Sequence, residues 1–198
     1  MARHLLTIAA MKCVRLYSVL AVYLALTAGS VDAQVAALKE VSVAVPKGDT
    51  LVLHIPSDWH SSVSRPEAPA PTVQLDTKDD SLSFLFTFLV DKDQRFSTKE
   101  AVERQVIGTS QMYVAGSVEK QLKLTPIATK NGHGCYASFS DADLVNVPAP
   151  GKGQFKYVVS GMLVIGKQSA VFTLLSNDKN SAAYKQAFQL LADGISVQ

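Results

Sequence analysis

The sequence predicts an α+β domain: a mostly antiparallel sheet of about six to eight strands with helices on both faces, an α/β/α sandwich. Three observations lead there. Short stretches of alternating apolar and polar residues recur between turn signals, which is the period of a strand. The connections between them are too short for crossover helices, so neighbouring strands run antiparallel. Two segments, from Ser97 and from Ser181, carry helical spacing, while some strands are apolar on both sides and need cover on both.

Residues 1–33 read as an export leader. Arg3, Lys12 and Arg15 precede the apolar run Leu16 to Ala28, and "VDA" before Gln34 fits a small-x-small cleavage site. The run is short of the ~20 residues that cross a bilayer as a helix, which argues against a retained anchor. Met11 is a candidate true start, because it shortens the leader to an ordinary length. Cleavage removes Arg3, Lys12, Arg15 and Asp32, leaving 16 basic and 16 acidic residues, so the basic character belongs to the leader. A nucleic-acid surface is not indicated. Residues 34–198 then form a single domain with one cysteine, Cys135, and no internal disulfide.

Along that domain, "LKEVSVAVP" from Leu38 alternates with Val41, Val43 and Val45 on one face, and "TLVLHIP" from Thr50 is its hairpin partner. "TVQLDT" from Thr72 and "SLSFLFTFLV" from Ser81 bracket the turn "KDD"; the second carries Phe84, Phe86 and Phe88 on one face and Leu85 and Leu89 on the other. Ser97 and Glu100 form a capping box opening a helix through Val102, Val106 and Tyr113. Four strands follow, in "VEKQLKLTPIAT", "GCYASFSDA", "QFKYVVSGMLVIG" and "SAVFTLLSN", with "KNGHG" and "GKQ" among their turns. A last helix opens near Ser181, closes at Gly194, and lines Tyr184, Ala187, Phe188, Leu191 and Ile195 along one face. Phe86, Phe88, Val102, Tyr184, Phe188 and Leu191 are the expected core.

The strand ending in "IPSDW", the aromatic strand "LSFLFTFLV" and the closing run from Tyr157 to Ile195 together resemble the PsbP-type family, which includes the photosystem II extrinsic subunit, the Mog proteins and exported bacterial relatives such as DcrB. The resemblance covers nearly all of residues 34–198 as an order of elements. It implies a PsbP-like sandwich and a non-enzymatic accessory or binding role. The family's photosystem and Ran-binding residues match no position here and are not carried over. Pro56 and Trp59 are similar to the family's Pro-x-x-Trp at a strand end, which implies that Trp59 plugs the core edge.

The candidate binding residues are Trp59, His60, Arg65, Asp91 and His133. If successive strands alternate strictly, the loop after Ile55, the segment from Asp91, the turn from Lys130 and the turn at Gly166 share one end of the sheet. That brings His60 and His133 together near Asp58, Asp91 and Asp93. Imidazole with carboxylate suits a divalent metal, for which His60, His133 and Asp58 are weak candidates; solvated loop histidines are the plainer reading. His133 and Cys135, two apart on an extended chain, point the same way without forming a nucleophile–base pair. No nucleophile elbow or phosphate loop is present. No catalytic residue and no cofactor is expected. The expectation is an exported, bacterial, periplasmic or secreted accessory protein engaging a protein partner in the cell envelope. The alternatives are a small-ligand or divalent-metal-binding protein and, third, an unrecognised hydrolase.

Overall fold

A computed structural model describes residues 37–45, 49–64, 70–89, 91, 93–130 and 132–198. The expected leader, residues 1–33 with the candidate start Met11, lies outside the described residues, as does Arg65. Twelve elements follow in order: β1 (Leu38–Ala44), β2 (Thr50–Pro56), β3 (His60–Ser64), β4 (Thr72–Asp76), β5 (Leu82–Leu89), α1 (Lys99–Val114), β6 (Leu124–Thr129), β7 (Gly132–Ser140), β8 (Tyr157–Ile165), β9 (Gln168–Ser176), α2 (Ala182–Asp193) and β10 (Ile195–Val197).

The strands fall into two antiparallel sheets. One has the order β1-β2-β10, the other β3-β4-β5-β9-β8-β7-β6. Alternation in β5 puts Phe84, Phe86 and Phe88 on one face with Phe172 and Leu174 of β9 and Val73 and Leu75 of β4, all buried. The rings of Phe84 and Phe172 meet edge-on with centroids 5.9 Å apart. The three-stranded sheet and α2 cover this face, adding Leu51, Leu53, Ile55, Ala187, Leu190 and Leu191 to one core. A smaller core lies on the opposite face, where Val102 and Val106 of α1 with Phe96 cover Cys135, Met162 and Val164.

The expected sandwich of one sheet between helices is therefore corrected. Strands take 46% of the described residues and helices 19%, and the ten strands among them divide into sheets of three and seven. The two helices among the described residues do not make a layer on each face: α1 rests on β7 and β8, and α2 shares its face with the three-stranded sheet. The outer side of β5 explains the difference. Leu85, Thr87 and Leu89 are only half-buried there, and Thr87 hydrogen-bonds Thr72 hydroxyl to hydroxyl at 2.9 Å, so this face tolerates water.

Two strands were not legible as such. β3 is exposed along its whole length and shows no alternation. β10 begins at Ile195, expected as the end of the last helix, and pairs with β2, so tertiary pairing overrides helical spacing there. The first helix is capped one residue later than expected: Thr98, not Ser97, accepts the Ala101 N–H through its hydroxyl at 3.2 Å. The last helix is capped at Ser181 and Gly194, where the sequence puts it. Of the expected core, Phe86, Phe88, Val102 and Leu191 are buried, whereas Tyr184 and Phe188 are half-buried at the rim.

Candidate functional site

A groove of about 310 Å³ opens between the first turns of α1 and the β6–β7 hairpin. The loop before α1 sets one wall. Asp91, itself buried, accepts the N–H groups of Arg95 at 2.9 Å and Phe96 at 3.2 Å, and Phe96 anchors the loop in the smaller core. With Thr98 capping the helix start, Lys99, Val102 and Glu103 are presented to the groove. The hairpin makes the other wall. The chain turns after Thr129 and re-enters the sheet at Gly132, where β7 lies hard against β8: a Cβ there would sit 1.8 Å from the Val164 carbonyl oxygen. Only glycine fits so close an approach.

His133 follows, opposite Val164 and on the face that α1 covers. Its Nε2 is buried and has no hydrogen-bond partner among the described residues. Cys135, next on that face, closes the wall; burial and then the Glu103 carboxylate push its thiol up to about 11. It is a thiol, not a thiolate, at neutral pH, and so a poor nucleophile. The groove thus offers an apolar floor from Val102, Pro126, Ala128 and Cys135, rimmed by an ammonium, a carboxylate and an imidazole.

The expected gathering of His60 with His133 is corrected by the strand register. His60 pairs with Asp76, and the row continues through Ser83, Leu175 and Val158 to Phe139. His133 instead pairs with Val164, and its row runs through Ser169 to Leu89, at the opposite end of the sheet. The cause is β3. One unanticipated crossing of the larger sheet, from His60 to Ser64, puts His60 at the end opposite that at which β4 begins. Asp91, two residues past Leu89, stays at the His133 end; Asp58 and Trp59 immediately precede β3. Trp59 is 2% exposed and part of the main core, and its carbonyl accepts from the Lys39 ammonium. His60 and Asp58 are exposed. His133 lies within β7, not in a turn, because Gly132 and Gly134 hide a strand behind residues that strands usually avoid. Among the described residues no three His, Cys, Asp or Glu side chains converge as a metal site would require. Lys99 and Glu103 were not expected in the site: nothing local in the sequence tells that the start of α1 lies over β6 and β7.

A second polar cluster stands at the other end of β7. Ser140 donates its N–H and its hydroxyl to the two oxygens of Glu119, each at 2.8 Å, and Lys179 donates to the Ser140 oxygen at 3.1 Å. The Lys179 ammonium also lies 4.4 Å from the Tyr157 ring centroid. Burial alone would raise the Glu119 pKa, but the Ser140 donors and the Lys179 charge outweigh it and hold the carboxyl below its usual value. With its hydroxyl proton given to Glu119 and its side chain buried, Ser140 ties three segments together.

No helix among the described residues is long and apolar enough to cross a membrane. No known protein-family model matches the chain, and no curated protein is significantly similar to it.

Proposed function

We propose that the chain is an exported, non-catalytic binding protein of the bacterial cell envelope, periplasmic or secreted, with its ligand in the groove between α1 and the β6–β7 hairpin. The observation that carries this reading is the groove with His133 in its wall. Its volume, about 310 Å³, is at the small end of the ~300–1,000 Å³ range of ligand pockets, and its floor is apolar. A buried polar atom without a partner costs roughly 1–3 kcal/mol, and a ligand that hydrogen-bonds the His133 Nε2 would recover part of it. Export is supported by the basic start, the apolar run and the small-x-small end of residues 1–33. The PsbP-type resemblance adds an accessory role.

The test is a small-molecule fragment screen on the exported protein, read by amide chemical shifts. Ligands that perturb Val102, His133 and Cys135 together, and that bind His133→Ala at least several-fold more weakly, support the reading. Ligands that map away from the groove, or that bind His133→Ala as tightly as the parent, refute it.

A protein partner is the second reading, and it does not depend on the groove. The edge of β3 favours it: five exposed residues at the end of the larger sheet, paired among the described residues on one side only, with β4.

A further inference from the structure

The edges of the two sheets are finished in different ways. A terminal strand presents a row of free N–H and C=O groups, and proteins usually blunt such edges with proline, charge or a covering element. The β6 edge of the larger sheet is blunted in these ways. Pro126 removes one donor from it, α2 packs beside it, and the Lys130 N–H just past its end is given to the Ala192 carbonyl of α2. In the smaller sheet the β1 edge carries Lys39 and Glu40, and β10 is only three residues long. Among the described residues β3 has none of these devices. Its residues, His60-Ser61-Ser62-Val63-Ser64, include no proline and no Lys, Arg, Asp or Glu, and all five are exposed.

The β3 sequence is also compatible with itself. In an antiparallel pair centred on Ser62, Ser62 faces its own copy, Ser61 faces Val63, and His60 faces Ser64. No two bulky side chains and no two formal charges of one sign are set opposite each other. The twofold axis of such a pair is perpendicular to the sheet, so the core-side faces of both copies fall on the same side. Ser61 and Val63 belong to that side, since they pair with the buried Leu75 and Val73. Val63, 36% exposed in the single chain, would be covered by the neighbouring strand.

We infer that the partner at β3 is a second copy of this chain, joined by antiparallel β3–β3 pairing into one sheet continuous across both copies. This inference rests on the protein-partner reading. The contact is small: five strand residues a side, against the ~20–30 residues a side of a standard stable interface. A reversible, concentration-dependent dimer is the expected form.

Sedimentation equilibrium of the exported protein, followed up to roughly 1 mM, tests this. The wild type should show a monomer–dimer equilibrium. Ser62→Lys and Ser62→Asp each set like charges across the twofold axis and should weaken the dimer by up to roughly fivefold, while an equimolar mixture should associate more tightly than either variant alone. Because Ser62 is exposed, both variants should keep the parent's urea transition, which separates loss of pairing from loss of fold. A wild type that stays monomeric overturns the self-pairing, and so does a mixture no tighter than its components. If the monomeric wild type instead takes up a strand of another envelope protein at β3, self-pairing fails and the protein-partner reading stands; if it takes up neither, both fail.

Discussion

Replacing Phe84 and Phe188 separately by alanine measures how deep the two aromatic groups of this fold sit. Phe84 is 0% exposed; its ring centroid lies 4.3 Å from that of Phe86 and 5.9 Å from that of Phe172. A fully buried phenyl side chain hides about 150–250 Å², worth roughly 4–6 kcal/mol at ~25 cal/mol per Å². That is an upper bound, because the unfolded chain already hides part of this surface. The expected cost of Phe84→Ala is therefore the ~3–5 kcal/mol usual for Phe→Ala in a core. Phe188 is half-buried on α2, against Tyr136 at 5.2 Å and Tyr184 at 5.1 Å between centroids. About half the burial gives roughly 2–3 kcal/mol as the same kind of upper bound, and with that discount and the ring contacts together the expected total is about 2–3 kcal/mol. The sequence alone places Phe188 with the core, at ~3–5 kcal/mol. Urea unfolding of the two variants, compared at equal m-values, separates these numbers. Equal losses would refute the rim position of Phe188, and a Phe188→Ala loss below roughly 0.5 kcal/mol would mean that the Tyr136–Phe188–Tyr184 cluster contributes nothing.

Three further outcomes follow from the same structure. Cys135, 4% exposed and with its thiol pushed up to about 11, should react with a disulfide reagent at pH 8 far more slowly in the native protein than in urea; equal rates would contradict its burial. Glu119, held below its usual value, contributes stability that is present above the unfolded-state value near 4.5 and is lost as pH falls through the folded value. Glu119→Gln should lower stability at neutral pH and flatten its fall on that acid limb, and a parent-like pH profile in the variant would exclude the role given to the Ser140 contacts. Gly132→Ala forces a Cβ to 1.8 Å from a backbone carbonyl oxygen that cannot swing away, and should cost at least roughly 1–3 kcal/mol in urea unfolding, where a neutral result would mean that β7 does not press on β8 as described.

The legible parts of the fold are those in which one face is buried and the other is not. β1, β4, β5 and β9 announce themselves by alternation, and α2 by Ser181, Gly194 and the spacing of Ala187 and Leu191. What stays hidden has physical causes. β3 lies at an edge with both faces in water, so selection for burial leaves no period in it. β7 begins two residues earlier than its pattern shows, because close packing on β8 demands glycine at 132. Leu85 and Leu89 suggest a second buried face on β5, but Thr87 between them bonds Thr72 and keeps that side polar, and only Leu89 reaches the smaller core that α1 covers over β7 and β8.

The candidate site shows how one such miss propagates. In a sheet of alternating strands, the end at which a loop emerges is fixed by the parity of the strands before it. Reading "HSSVSRPEAPAP" as one loop places His60 with His133 and Asp91; the five residues of β3 inside it add a crossing and send His60 to the other end. His60 and Asp58 are thereby separated from His133 for any shared chemistry, and Asp91 is turned to holding the loop before α1. His133 is left with α1 above it, and its neighbours become Lys99 and Glu103, residues that no sequence spacing ties to it. The same five residues that empty one expected site also create the bare edge at β3. Two surfaces with unmet hydrogen-bonding capacity among the described residues therefore lie at different places on one sheet, a buried imidazole nitrogen under α1 and an open strand at the far edge. Because β3 and β7 are separated by four intervening strands, occupation of one should leave the other's affinity unchanged, and ligand titrations of monomer and dimer that differ would show coupling through the sheet between them.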